Sequence, residues 1–232
     1  MSVISFPKKS KLPDRVSYQW GRRVFHMLGG AFFVGLSLLI KDRFLFLLVL
    51  VIGTLISTAV DFLRIRIPVL REWSFRLFGG LMREHEDHQL SGLPFYALGC
   101  TISFILFPWP TAVLAVLYLA IGDPAASIVG VFYQRRKWGD QDTYLYRKSW
   151  VGSLACFSIC VVMSLVLLPF LFESLVYTDW KIWILAFWGG AAAAFAEVLP
   201  LRTDDNLSLP LISGSFLWLM MALLNVTTDF VG

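Results

Sequence analysis

Charge is scarce in this chain: 16% of its 232 residues are Asp, Glu, Lys or Arg, against roughly 25% in soluble domains. With 57% hydrophobic residues and a mean hydropathy of +0.70, that scarcity excludes an ordinary soluble domain and points to a membrane protein. Cysteine is sparse too. Cys100, Cys156 and Cys160 all fall inside apolar runs, so neither a disulfide framework nor a zinc site is expected. Cys156 and Cys160, four apart on one helical face, read as small buried hydrophobes. The chain also lacks a Gly-x-x-x-x-Gly-Lys-Ser/Thr loop and the protein-kinase signatures, which excludes those two routes to nucleotide chemistry.

What is present in abundance is apolar sequence of membrane-spanning length. The runs Arg22–Ile40, Phe44–Phe62, Gly92–Phe107, Thr111–Tyr133, Trp150–Phe172, Ile182–Leu199 and Leu209–Thr228 predict an all-α polytopic protein with about seven transmembrane helices, the third short. Residues 68–83 have a different pattern. Leu70, Trp73, Leu77 and Leu81 recur at three to four residues, with Arg71, Glu72, Arg76 and Arg83 opposite, which predicts an amphipathic helix in the membrane interface. The expected organisation is a basic cytoplasmic segment over residues 1–21 and a single integral-membrane catalytic domain over 22–232. No small-residue cleavage site follows the first basic residues, so a removable signal peptide is not expected.

Loop charges orient the chain. Of the 20 Lys and Arg residues, 17 fall on the side of the N-terminus, and only Lys41, Arg43 and Lys181 on the other. The bias predicts a cytoplasmic N-terminus and an external C-terminus. It also accounts for the net charge of +4, so nucleic-acid binding is not expected.

Asp123 lies near the middle of the fourth run, with Pro124 beside it. A carboxylate at that depth costs about 2.5–3.5 kcal/mol on insertion scales, and the proline frees a backbone carbonyl. A metal ion, a substrate path or a buried partner must offset that cost. Asp61, Glu86, His88, Lys148, Glu197, Asp204, Asp205 and Asn206 fall at the cytoplasmic ends of the runs, so a water-soluble reactant and a lipid-phase one would meet there. A nucleoside triphosphate among these carboxylates requires divalent metal, and Asp123 and Asp205 supply hard oxygen ligands for Mg²⁺, with Asn206 beside them. Arg135, Arg136, Lys137, Arg147 and Lys148 offer charge to the phosphates, although positive-inside bias alone would also place them there. Ser149, Gly152 and Ser153 open the next helix with backbone N–H groups suited to an anion. Asp61 and His88 read equally well as solvated helix-end residues.

The block Gly122-Asp123, Ala126, Gly130, Lys148-Ser149, Gly152-Ser153, Glu197, Asp204-Asp205-Asn206 and Pro210 resembles the CTP-dependent polyprenol, diacylglycerol and phytol kinase family, which includes dolichol kinase. Arg22-Arg23-Val24-Phe25-His26 with Gly29-Gly30 resembles that family's basic-His-Gly start of the first helix, and Arg83, Glu86 and Ser91-Gly92 its Arg/Glu then Ser/Thr-Gly element. The resemblance runs from about Arg22 to Gly214, with one departure: Val151 stands where relatives often carry Glu. The related phosphatidate cytidylyltransferases have a His-Gly-Gly and an Asp-Arg-x-x-Asp-type ending that this sequence lacks.

The resemblance implies CTP as phosphoryl donor and Mg²⁺, with transfer to the hydroxyl of a membrane lipid alcohol. Asp123 and Asp205 would hold the metal. Lys148 would neutralise the transferring group, and Glu197, Glu86 or His26 would orient the acceptor hydroxyl. Arg135, Arg147, Ser149, Gly152, Ser153 and Asn206 would contact the nucleotide. Two other readings stay open. One is CMP transfer to a lipid phosphate; the other is a small transporter coupled through Asp123, which would favour an inverted repeat and acids along both membrane halves.

Overall fold

The computed structural model describes residues 20–79, 86, 88–138, 148–172, 175, 177–200 and 203–226. The segment 1–19, Leu81, Arg83, Arg147, Arg202 and the end of the seventh run lie outside the described residues. The elements are α1 (Trp20–Leu39), α2 (Arg43–Arg66), α3 (Pro68–Phe78), α4 (Gly92–Leu106), α5 (Trp109–Leu117), a π turn (Tyr118–Gly122), α6 (Asp123–Trp138), α7 (Trp150–Leu171), α8 (Trp180–Val198) and α9 (Asp205–Leu223). Among the described residues every regular element is helical.

Each predicted run overlaps a helix, although the helix of the seventh run starts four residues before it, at Asp205, and ends at Leu223. By length and apolarity five can cross a membrane: α2, the continuous α5–π–α6 helix over Trp109–Lys137, α7, α8 and α9. α4 is apolar but has only 15 residues. α1 has 20 residues and carries Arg22, Arg23 and His26 in its first two turns, which keeps it out of the apolar set. The protein is thus an all-helical, multi-pass membrane protein.

Helix α5–π–α6 is the hub. Two-thirds (67%) of its apolar window is buried in protein, against 22% in α2 and in α7, whose remaining faces are left for lipid. Tyr118, Leu114 and Leu119 at its centre are fully buried, and the Tyr118 hydroxyl hydrogen-bonds with Ser164 of α7. α7, α8 and α9 pack in sequence order, α4 lies against both α2 and α9, and α1 lies against the π turn. Where tails of lipid are as apolar as Leu, small residues and polar links must secure such contacts. On α8, a Cβ on Gly190 would come within 2.6 Å of Val161, so Gly190 sets the α7–α8 spacing, while Gly189 makes room for the Tyr118 hydroxyl of the π turn.

α3 begins where Pro68 can occupy the first turn without losing a helix bond. None of its residues is buried, and Trp73 and Leu77 are 58% and 68% exposed. Packed only along α2 among the principal contacts, it has the form expected of an interfacial helix.

Candidate functional site

Pro124 cannot donate to the Ala120 carbonyl, and directly before Asp123 the helix widens into the π turn Tyr118–Gly122. Such turns are frequent at functional sites. Asp123 thereby becomes the first residue of α6, with its side chain 28% exposed although Gly122 and Pro124 are buried. α1 brings two residues to it. His26 places Nδ1 4.0 Å from the Asp123 carboxylate, and the Arg23 guanidinium donates to Ser127 Oγ, one turn further along α6, at 3.0 Å. Tyr96 of α4 fixes His26 twice. Its ring meets the imidazole edge-on at 4.8 Å, and its hydroxyl donates to the His26 carbonyl at 2.9 Å.

The small residues that flank Asp123 have a packing role. Gly122, Ala126 and Gly130 recur every four residues and form one stripe. A Cβ on Gly122 would lie 2.7 Å from Cys160 Sγ, and one on Gly130 would lie 2.9 Å from Ser149 Oγ. From the other side, a Cβ on Gly152 would lie 2.5 Å from the Ala126 carbonyl oxygen. The stripe lets α6 and α7 approach closely, which seats the start of α7 against Ala126 and Gly130, one to two turns along α6 from Asp123. All three cysteines are free and buried, as expected.

At the start of α7, Ser149 is the N-cap and accepts from the Gly152 N–H at 3.1 Å. That N–H, expected to face an anion, is engaged within its own helix. Ser153 Oγ donates to Glu197 Oε2 of α8 at 2.8 Å, and Lys148 Nζ donates to the Glu197 backbone carbonyl. The same ammonium reaches both oxygens of Asp205 at 3.1 Å. Lys148 thus ties the end of α8 to the start of α9. Lys148, Glu197 and Asp205 thus form one charged cluster at the helix ends, and Gly152, next to Ser153, packs against Ala126, one turn along α6 from Asp123. Asp204 caps α9 by accepting from the Asn206 N–H, and Asn206 is buried, donating to the Gly92 carbonyl at 3.1 Å. The amide expected at the nucleotide therefore joins α9 to α4. Arg135 is half-buried, and Arg136 and Lys137 are exposed on the last turn of α6. Arg135 lies twelve residues after Asp123, about 18 Å along the axis, so the basic turn forms a rim rather than lining Asp123.

Beside this cluster is a cavity of about 390 Å³ bounded by α1, α2, α3 and α4. Phe25, Val60, Phe78 and Leu93 give it apolar walls; His26 and Tyr96 also line it. Its charged lining is paired. Arg22 meets Glu86 at 3.1 Å, and Arg64 meets Asp61 at 2.9 Å while donating to the Glu86 and Gln89 carbonyls. Asp61 is 7% exposed and also accepts from the Ser91 N–H at 2.7 Å, so it is a buried structural carboxylate and not a solvated helix end. Glu86, a candidate for orienting a hydroxyl, is 3% exposed and held by Arg22. Sequence spacing carries one hint of this network, the i, i+3 placement of Asp61 and Arg64; nothing in it joins Arg22 to Glu86. His88 is exposed beside Arg71, as a helix-end residue would be.

Among the described residues no three His, Cys, Asp or Glu side chains form a metal cage. Mg²⁺ does not require one, since it usually keeps several waters and binds through one or two carboxylates together with substrate phosphates. Asp123 and Asp205, both partly exposed carboxylates, are donors of the kind that this mode uses.

No family model matches the chain, and no solved structure matches it significantly. Curated relatives do. The CTP-dependent diacylglycerol kinase 1 of Schizosaccharomyces pombe is 34% identical over 184 residues, covering 75% of this chain and 80% of the relative. The protein of the same name from Saccharomyces cerevisiae is 28% identical over 72% of this chain and 61% of its own length. A probable chloroplastic phytol kinase of Triticum aestivum is 25% identical over 84% of this chain and 65% of its own. Similarity of this extent, on a multi-pass helical frame with its charged cluster at one end, makes the protein a member of the CTP-dependent lipid kinase family to which these diacylglycerol and phytol kinases belong.

Proposed function

We propose that the protein transfers the γ-phosphoryl group of CTP, with Mg²⁺, to the hydroxyl of a membrane lipid alcohol of the polyprenol, diacylglycerol or phytol class. The observation that carries this reading is the cluster of Lys148, Glu197 and Asp205 at helix ends seated one turn from Asp123, with His26 between Asp123 and an apolar cavity. Phosphoryl transfer needs positioning and charge neutralisation more than covalent chemistry, and this cluster offers both. Mg²⁺ held by Asp123 and Asp205 would neutralise charge on the triphosphate. Lys148, which donates to the Glu197 carbonyl, would hold the transferring group, and Ser153 donates to the Glu197 carboxylate. The lipid oxygen forms a bond to the γ-phosphorus while the bond from that phosphorus to the bridging oxygen breaks. CDP leaves with the electron pair, and the hydroxyl proton passes to solvent or a nearby base.

CTP labelled on the γ-phosphorus tests the reading. With protein in vesicles containing diacylglycerol, polyprenol or phytol, label is expected in the lipid extract and CDP in the water phase. Label recovered as pyrophosphate, with cytidine in the lipid, would establish CMP transfer instead; no lipid-borne label from any nucleotide would favour the transporter.

We further propose that this end of the bundle faces the cytoplasm, on the 17-to-3 distribution of Lys and Arg. A reporter inserted at Gly139 should then be cytoplasmic and one fused after Gly232 external. Both on one side would overturn the seven-span topology.

A further inference from the structure

We infer that the cavity between α1, α2, α3 and α4 is the acceptor site, and that it selects a lipid with an uncharged alcohol head. This deepens the kinase reading and rests on it. Three observations meet here. The first is size and chemistry: about 390 Å³ lies in the usual range of roughly 300–1,000 Å³ for small-molecule sites, and its walls of Phe25, Val60, Phe78 and Leu93 suit the part of an acyl or prenyl chain next to the alcohol head.

The second is charge. The cavity is lined by two cations and two acids that cancel in pairs, Arg22 with Glu86 and Arg64 with Asp61. Arg64 is further saturated by two backbone carbonyls. A lipid phosphate placed there would meet cations already engaged, and taking one would leave a buried carboxylate without its partner, a costly exchange. A hydroxyl needs only a hydrogen bond. The cavity is therefore suited to the substrate of a kinase and poorly suited to its phosphorylated product, which favours release after transfer.

The third is continuity with the reacting end. His26 lines the cavity and also stands 4.0 Å from the Asp123 carboxylate. Of the three residues considered for orienting the hydroxyl, Glu86 is held by Arg22, and Glu197 is bonded to Ser153 and does not line the cavity. Only His26 belongs to both places, and Tyr96 holds its ring and its carbonyl. A head group lodged against His26 would present its oxygen toward the metal and phosphate side. Phe78 and Ser74 contribute a wall from α3, so the lipid would arrive beneath this interfacial helix.

Photolabelling and kinetics on the full-length protein in vesicles test this. A diacylglycerol with a diazirine on one chain, close to the glycerol, should label peptides of α2 and α4 that contain Val60 and Leu93. Unlabelled diacylglycerol should compete for those sites, and an equal amount of phosphatidate should not. Val60→Trp and Leu93→Trp, each narrowing the cavity from a different helix, should raise KM for the lipid about tenfold, the scale of one overpacked contact, with CTP binding unchanged. Leu38→Trp, in the separate cavity at the far end of α1, should leave KM unaltered. Labelling at Val60 and Leu93 that unlabelled diacylglycerol does not reduce, or competition by phosphatidate, would overturn the assignment while the kinase reading stands. Should wild-type protein place no γ-label in lipid, the kinase reading itself fails. If neither Trp variant folds, the wild-type labelling pattern decides.

Discussion

Asp123→Asn is expected to lower phosphoryl transfer by about 10³-fold, the upper end of what one preorganised electrostatic group contributes, while the folded protein becomes no less stable. The two halves of this expectation come from the same position. Asn preserves the shape of the side chain at the start of α6 and can still face His26, so the packing of Gly122, Ala126 and Gly130 against α7 is untouched. It removes a charge that costs about 2.5–3.5 kcal/mol on insertion scales, so thermal stability in detergent should hold or rise. Activity should fall because a neutral amide is a poor Mg²⁺ ligand. Residual turnover should then need much higher Mg²⁺, and Mg²⁺-dependent CTP binding should weaken. Equal loss of stability and activity would instead make Asp123 a structural partner of His26, and near-normal turnover at limiting Mg²⁺ would remove it from the metal site.

The spans are legible in the sequence because a membrane imposes one simple rule, a sustained apolar run, and each of the seven runs meets a helix. α1 is the instructive case. Its apolar residues mark a helix, yet Arg22, Arg23 and His26 lower its hydropathy because they face Glu86, α6 and α4 rather than lipid. Asp123 is legible for the opposite reason, since a lone carboxylate and a proline inside such a run need an explanation. The cross-helix register is what sequence spacing cannot carry. Arg22 and Glu86 are 64 positions apart, Lys148 and the Glu197 carbonyl 49. Polar residues at helix ends also have two uses that look identical in a sequence. Ser149 resembles a ligand contact and serves as an N-cap; Asn206 resembles one and links α9 to α4. Asp61 resembles a solvated end and is a buried ion-pair member. The glycines follow the same lesson, since Gly122, Gly130 and Gly152 are needed first for the closeness of α6 to α7, and the charged site is a consequence of that closeness.

Lys148→Met is expected to reduce the rate of transfer from CTP by about 10²–10³-fold, the scale observed when one preorganised charge stabiliser is removed from a transition state. Lys148 is more than a third exposed, as is its partner Asp205, so their ion pair contributes little to stability and its loss should leave the fold intact. Its anchoring is the informative feature. The Glu197 carbonyl holds the ammonium in place whether or not Asp205 is engaged elsewhere, so a nucleotide whose metal draws on Asp205 would find Lys148 already positioned for the phosphates. The loss should therefore appear mainly in kcat, because charge develops on the transferring group in the transition state, with a smaller change in KM for CTP. Lys148→Arg keeps the charge but replaces a compact ammonium by a planar fork, and should retain more activity than the Met variant without restoring it fully. A rise in KM alone, with kcat preserved, would reduce Lys148 to a ground-state contact. Loss of folding in both variants would make it a structural clasp between α8 and α9.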